Sequence, residues 1–187
     1  MDDLSRGQLV WTGEHWINSL RLPGATEDSG KLSLYCAHHT PAGEGHVATV
    51  EINGEPGFSG LCTDNPELAS FINATMLAGE CSLPLVEASF QREGDIREEP
   101  VWTIATTDRQ IRAGWSQIAS PYVGPPTLNP KIVFTVLFFA ASGSLSLDGT
   151  PVPGEPYQRD VWAKNLHRPH SSCCFALAET MVTERKS

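Results

Sequence analysis

The sequence predicts an all-β protein with one helix, and three observations carry that expectation. The run Ile132–Ala141 is uncharged and rich in β-branched and aromatic residues. It is too short to cross a membrane as a helix, so it reads as a strand covered on both faces. Directly after it, Leu145 and Leu147 alternate with Ser144 and Ser146 ahead of an Asp148-Gly149 turn. Fourteen prolines and sixteen glycines punctuate the chain at the short intervals that many turns require.

Taken in order, Gln8–Thr12 and His15–Leu22 read as a first pair of strands, with Trp16, Leu20 and Leu22 sharing one parity. Lys31–His39 follows with Leu32, Leu34, Cys36 and His38 on one face, and then His46–Asn53. The helix is expected over Pro66–Ala78. Asn65 can cap it, Pro66 occupies the first helical position where its missing N–H costs nothing, and Gly79 can end it in the left-handed conformation. Leu68, Phe71, Ile72, Thr75 and Met76 make its apolar stripe, which suits packing against a sheet or plugging a barrel end. Leu85–Gln91 alternates strictly and Val101–Thr106 is a further strand. Asp108–Ile118 fits either a helix face or, through Gly114, a strand return. Tyr122–Pro130 is a Pro-rich apolar connection, and Cys173–Thr183 is the last strand.

Composition bounds the function. The 187 residues suit one domain spanning 1–187, with 40% hydrophobic and 19% charged side chains. A formal net charge of −9 argues against binding nucleic acid, which needs clustered Lys and Arg. No stretch approaches a membrane span, and the acidic N-terminus has no apolar segment of the secretory kind. The five cysteines follow no framework spacing and are expected to be reduced, so the setting expected is cytoplasmic.

Glu179 is the first candidate for chemistry. By parity it shares a face with Cys173, Phe175, Leu177 and Met181 on an apolar strand, where desolvation would prepare a carboxylate as general acid or base. His38 and Tyr35 are the candidate catalytic partners. Trp16, Trp102, Phe175 and Glu87 are the candidate substrate contacts, supplying aromatic area and a polar group. Trp11, Trp115 and Trp162 are further aromatics that could fill the core. A three-histidine metal site from His38, His46 and either His167 or His170 is a weaker alternative, because His38 and His39 point to opposite strand faces and no ligand spacing accompanies them. Adjacent Cys173 and Cys174 also point apart, so buried thiols are expected rather than a disulfide. No Gly-x-Ser-x-Gly elbow and no Gly-rich phosphate loop occurs, so no cofactor is expected.

The stretch Gly143–Glu155 resembles the strand–turn–strand of cupin barrels over one hairpin. The metal motif of that family would stand in Tyr122–Ala141, which contains neither its His-x-His pair nor its glutamate. The fold expected is therefore an antiparallel β-barrel, lipocalin-like or cupin-like, of roughly eight to ten strands. A flattened β-sandwich is the alternative.

Two functions follow as expectations. One is a cofactor-independent enzyme of the isomerase, cyclase or lyase type, acting by acid–base chemistry on a small, largely apolar molecule in the barrel. The other is a non-catalytic module for a hydrophobic ligand or a protein partner, with Tyr122–Pro130 as a surface for a homo-oligomer. A metal-dependent, cupin-like enzyme is a third reading.

Overall fold

A computed structural model describes residues 7–123, 132–161 and 166–184. Fourteen strands and one long helix follow in chain order: β1 Gly7–Leu20, β2 Gly30–His39, β3 Gly45–Ile52, β4 Phe58–Thr63, α1 Pro66–Thr75, β5 Leu85–Glu87, β6 Ser89–Glu93, β7 Val101–Ala105, β8 Gln110–Ile118, β9 Tyr122–Val123, β10 Ile132–Leu147, β11 Thr150–Pro151, β12 Gln158–Arg159, β13 His170–Ser171 and β14 Cys174–Glu184.

Ten of them form one continuous path, β5-β4-β3-β2-β1-β14-β10-β8-β7-β6. The two ends of that path, β5 and β6, are joined in the chain by Ala88 alone, whose N–H bonds to the Thr63 carbonyl at 2.9 Å. The sheet thus curls until its edges meet, giving a nearly closed barrel rather than two stacked sheets, and leaving little edge to recruit another chain. Every neighbouring pair is antiparallel except β4–β5, which is parallel.

β10 explains the curl. Its first half pairs with β14 and β9, while its second half pairs with β8, so one sixteen-residue strand serves both sides of the barrel. Phe138 and Ala140 point into the core, and Leu137 and Phe139 point outward beneath Leu166 and Tyr122. From Leu137 to Ala140 the strand is buried on both faces, as its composition predicts, while Phe134 and Ala141 are exposed. Leu145 and Leu147 also turn into the core.

The interior is packed, not hollow. Trp16 stacks on Phe175 at 4.2 Å and meets Trp115 and Trp102 edge-on at 5.1 and 6.0 Å. Asn18, fully buried, donates to the Gly114 and Ser144 carbonyls at 3.0 and 3.1 Å, satisfying an amide that would otherwise be costly in this core. The helix α1 lies on the outside, with Leu68, Ala69 and Ile72 over Val47, Leu61 and Tyr35. Asn65 caps it by accepting from the Glu67 and Leu68 amides.

Several expected boundaries change. Gln8–Thr12 and His15–Leu22 are one strand, β1, because Gly13 stays extended within the sheet. Leu85–Gln91 is divided at Ala88, where the chain crosses from one barrel edge to the other. Asp108–Ile118 resolves as strand over Gln110–Ile118, and α1 ends at Thr75. Of the Tyr122–Pro130 connection only Tyr122 and Val123 are described, as β9; the remainder and Trp162 lie outside the described residues. No helix among the described residues is long and apolar enough to cross a membrane.

Candidate functional site

Two groups of chemically competent side chains emerge on opposite faces of the same strands. Along β1, Glu14 and Trp16 face inward while His15 and Ile17 face outward, as strand alternation requires.

The inward group forms an open cup at one barrel mouth, with a volume of about 1090 Å³. Glu14, Cys36, His38, His46, Asp64, Arg92 and Trp102 contribute to its lining. Glu14 is fixed through one oxygen: Oε2 accepts from Trp16 Nε1 at 2.9 Å and from Arg92 at 2.8 Å. Its other oxygen, Oε1, lies 3.9 Å from His38 Nε2 and makes no hydrogen bond among the described residues. The Arg92 guanidinium lies 5.8 and 5.6 Å from the Trp16 and Trp102 rings, so the floor of the cup is an aromatic pair beneath a cation.

Across the cup stands His46. Its Nδ1 is 2.7 Å from Asp64 Oδ2, and its backbone N–H donates to Asp64 Oδ1 at 2.7 Å. An ionised carboxylate only accepts, so Asp64 keeps a proton on Nδ1, and in the neutral imidazole Nε2 is then the basic nitrogen. The ring is held by stacking on Phe90 at 5.0 Å and by an edge contact with Trp102 at 5.6 Å. His46 and Asp64 face one another because β3 and β4 are hairpin partners with Val47 opposite Thr63. Thr63 and Asn65 brace the corner, with Asn65 bonding the Glu44 carbonyl at 3.0 Å. Cys36 lines the cup too, but burial and then the Glu14 charge push its thiol far up, so it stays a neutral S–H.

The outward group is His15, Ser33, Tyr35 and Glu179. His15 stacks on Tyr35 at 4.2 Å, its Nε2 is 2.8 Å from Ser33 Oγ, and its Nδ1 is 3.8 Å from Glu179 Oε2. Burial pushes the Tyr35 phenol up to about 12, against a lowering hydrogen bond from Ser33; the Glu179 charge adds to the rise.

Glu179 is buried on a central strand, as its apolar setting predicts, but it does not share the face of Phe175. Between Ala176 and Glu179, β14 spends three residues where β1 spends two, His15 to Gly13, and β10 spends two, Leu137 to Thr135. This β-bulge shifts the parity, so Phe175 stays in the core while Glu179 emerges beside His15 with Met181 on the outer face.

The three catalytic candidates therefore separate: Glu179 and Tyr35 are together outside, and His38 is in the cup. His38 arrives there through a second irregularity, since Thr12 pairs with His39 and Gly13 with Ala37, leaving His38 as the extra residue. Of the substrate-contact candidates, Trp102 lines the cup and Trp16 underlies it, holding Glu14. Phe175 is fully buried between Trp16 and Phe138. Glu87 is exposed on β5, opposite Thr63.

The other histidines do not converge. His170 stacks on Phe139 at 4.2 Å outside the barrel, and among the described residues no three His, Cys, Asp or Glu side chains are placed to hold a metal ion. All five cysteines are free thiols; Cys173 and Cys174 enter different clusters on the two sides of the sheet. Sequence singled out His46 only as a possible metal ligand, and it did not single out Asp64, Glu14, Arg92, His15 or Ser33. The available signal was register: once β3 and β4 are paired, residues 46 and 64 must be neighbours.

This is a barrel-shaped β protein with a cup lined by ionisable and aromatic side chains at one mouth. Comparison with protein families, curated proteins and solved structures finds no match to the chain.

Proposed function

We propose that this chain is a cofactor-independent enzyme of the isomerase or lyase type, which binds a small molecule in the mouth cup and acts on it by acid–base chemistry. The observation that carries the reading is the His46–Asp64 pair, at 2.7 Å, opening a free Nε2 onto a cup that also presents Glu14 Oε1. His46 takes a proton from carbon, Asp64 steadies the imidazolium that results, and His46 returns that proton to another atom of the substrate, whose hydrogen-bonding end the Glu14 carboxylate orients. An isomerisation of that kind needs no co-reactant, and an elimination releases only its leaving group. The apolar part of the substrate lies against Trp102, and its proton-exchanging end faces His46 and Glu14. Free thiols suit a cytoplasmic setting.

Binding without turnover is the second reading. The breadth of the cup favours it, since about 1090 Å³ exceeds the ~300–1,000 Å³ usual for small-molecule pockets.

One experiment separates the two. Ligands retained by the purified chain are identified by native mass spectrometry, and the complex is then transferred to D2O. Under the enzyme reading the bound ligand gains deuterium at carbon, and His46→Gln binds it but loses the exchange. Binding with no exchange in the wild type favours the module, and ligand held away from the cup contradicts both.

A further inference from the structure

The outward group has a geometry that the cup does not need. Ser33 Oγ sits 2.8 Å from His15 Nε2, and the opposite ring nitrogen faces the buried Glu179 carboxylate at 3.8 Å. Nucleophile, base and orienting acid thus follow one another in space, in the order that activates a serine hydroxyl. Three strands supply them. His15 and Tyr35 are direct cross-strand partners on β1 and β2, Ser33 is two residues from Tyr35 on the same face, and the bulge in β14 delivers Glu179. The Tyr35 ring, stacked flat on His15, fixes the imidazole plane.

Ser33 also opens onto a groove of about 610 Å³ on the outside of the barrel. Its walls are mixed: Ile17, Leu77 and Leu83 are apolar, Lys31 and Arg159 are cationic, and Ser33 lies among them. A hydroxyl hydrogen-bonded to an imidazole at the edge of a groove has the access that a buried structural Ser–His contact lacks.

We propose that Ser33, His15 and Glu179 form a nucleophilic relay that transfers the acyl group of a small carboxylic ester to water. Ser33 Oγ attacks the ester carbonyl as His15 Nε2 takes the hydroxyl proton. The C–O bond to the alcohol breaks, and His15 gives that proton to the departing alkoxide. Water then attacks the acyl-serine by the same route, releasing the acid and restoring Ser33. Glu179 stabilises the imidazolium in both halves.

The test is covalent labelling of the full chain with a fluorophosphonate, alongside the pre-steady-state release of 4-nitrophenol from 4-nitrophenyl acetate. The expected result is one label per chain, mapped to Ser33, and a burst of one equivalent. Ser33→Ala abolishes both without unfolding the protein. His15→Asn slows labelling at least about 100-fold. His46→Gln, in the cup, leaves labelling unchanged. No labelling of the wild type, labelling at another residue, or a burst that survives Ser33→Ala overturns the proposal. Because Glu179 is buried, Glu179→Gln is judged only after its circular dichroism matches the wild type; a folded variant labelled at the full rate overturns the part assigned to Glu179.

Discussion

Glu14 and His15 are neighbours in the sequence and belong to different chemistries. Glu14 enters the mouth cup, wide and open, with charged groups held by Trp16, Arg92 and Asp64. His15 enters the outer cluster, where Ser33, Tyr35 and Glu179 close around one imidazole. The cup has its base and its second carboxylate on separate walls, with room for a molecule between them. The outer cluster has its groups already in hydrogen-bonding or ion-pair range. The period-two alternation of one strand suffices to deliver both, and two irregularities, at His38 and in β14, decide which groups join which side.

The largest expected effect erases the comparison. Trp16 is fully buried, stacks on Phe175 and holds Glu14, so Trp16→Ala should cost about 3–5 kcal/mol. Urea unfolding would show it, with both regions lost together. A loss under about 1 kcal/mol would mean that the barrel interior is not the shared support of the two regions.

Gly13 lies between the regions, opposite Glu179 and one residue from Glu14. A Cβ there would sit 2.1 Å from the Cys36 carbonyl oxygen and 2.9 Å from the Trp11 ring. Gly13→Ala is therefore expected to destabilise by about 1–3 kcal/mol and to disturb both regions, read by thermal unfolding and by NMR shifts at His15 and His46. Shifts confined to one region would break the view that β1 couples them.

Asn65→Ala should act on the cup side alone. It removes the α1 cap and the bonds to the loop at Ala42 and Glu44, at a cost of about 1 kcal/mol. Chemical denaturation measures that cost, and fluorophosphonate labelling at Ser33 should not change.

The smallest effect appears only in alkali. Burial pushes the thiols of Cys62 and Cys174 to about 12 and of Cys173 to about 11, from an ordinary value of 9.0. Folded thiols keep protons that unfolded ones release, so the stability they contribute is full below pH 9 and is lost as the pH rises from there to about 11–12. Melting temperature should be flat with respect to these groups up to pH 9 and then fall. A Cys62→Ala, Cys173→Ala, Cys174→Ala protein that falls just as steeply would assign the alkaline loss to other groups.

The barrel was legible where composition is one-sided. Ile132–Ala141 has no charged residue, and the stripe of α1 has a single period. β4 escaped because Phe58–Thr63 carries glycine, serine and cysteine in no alternating order, and with it went the register that joins His46 to Asp64. Glu179 shows a different limit. Its burial follows from its neighbours, but its face depends on a bulge, and a bulge leaves no mark on a period-two reading. His15 and Ser33 sit in plain strand sequence; only the pairing of β1 with β2 makes them partners.

The most direct measurement is of His46 itself. Long-range ¹H–¹⁵N NMR of the imidazoles, recorded during titration with the ligand recovered by native mass spectrometry, reports tautomer and contact together. The account predicts a proton on Nδ1 of His46, with Nε2 and the Trp102 indole shifting as ligand is added. An Nδ1 without its proton, or a saturating ligand that leaves His46 and Trp102 unmoved, would contradict it.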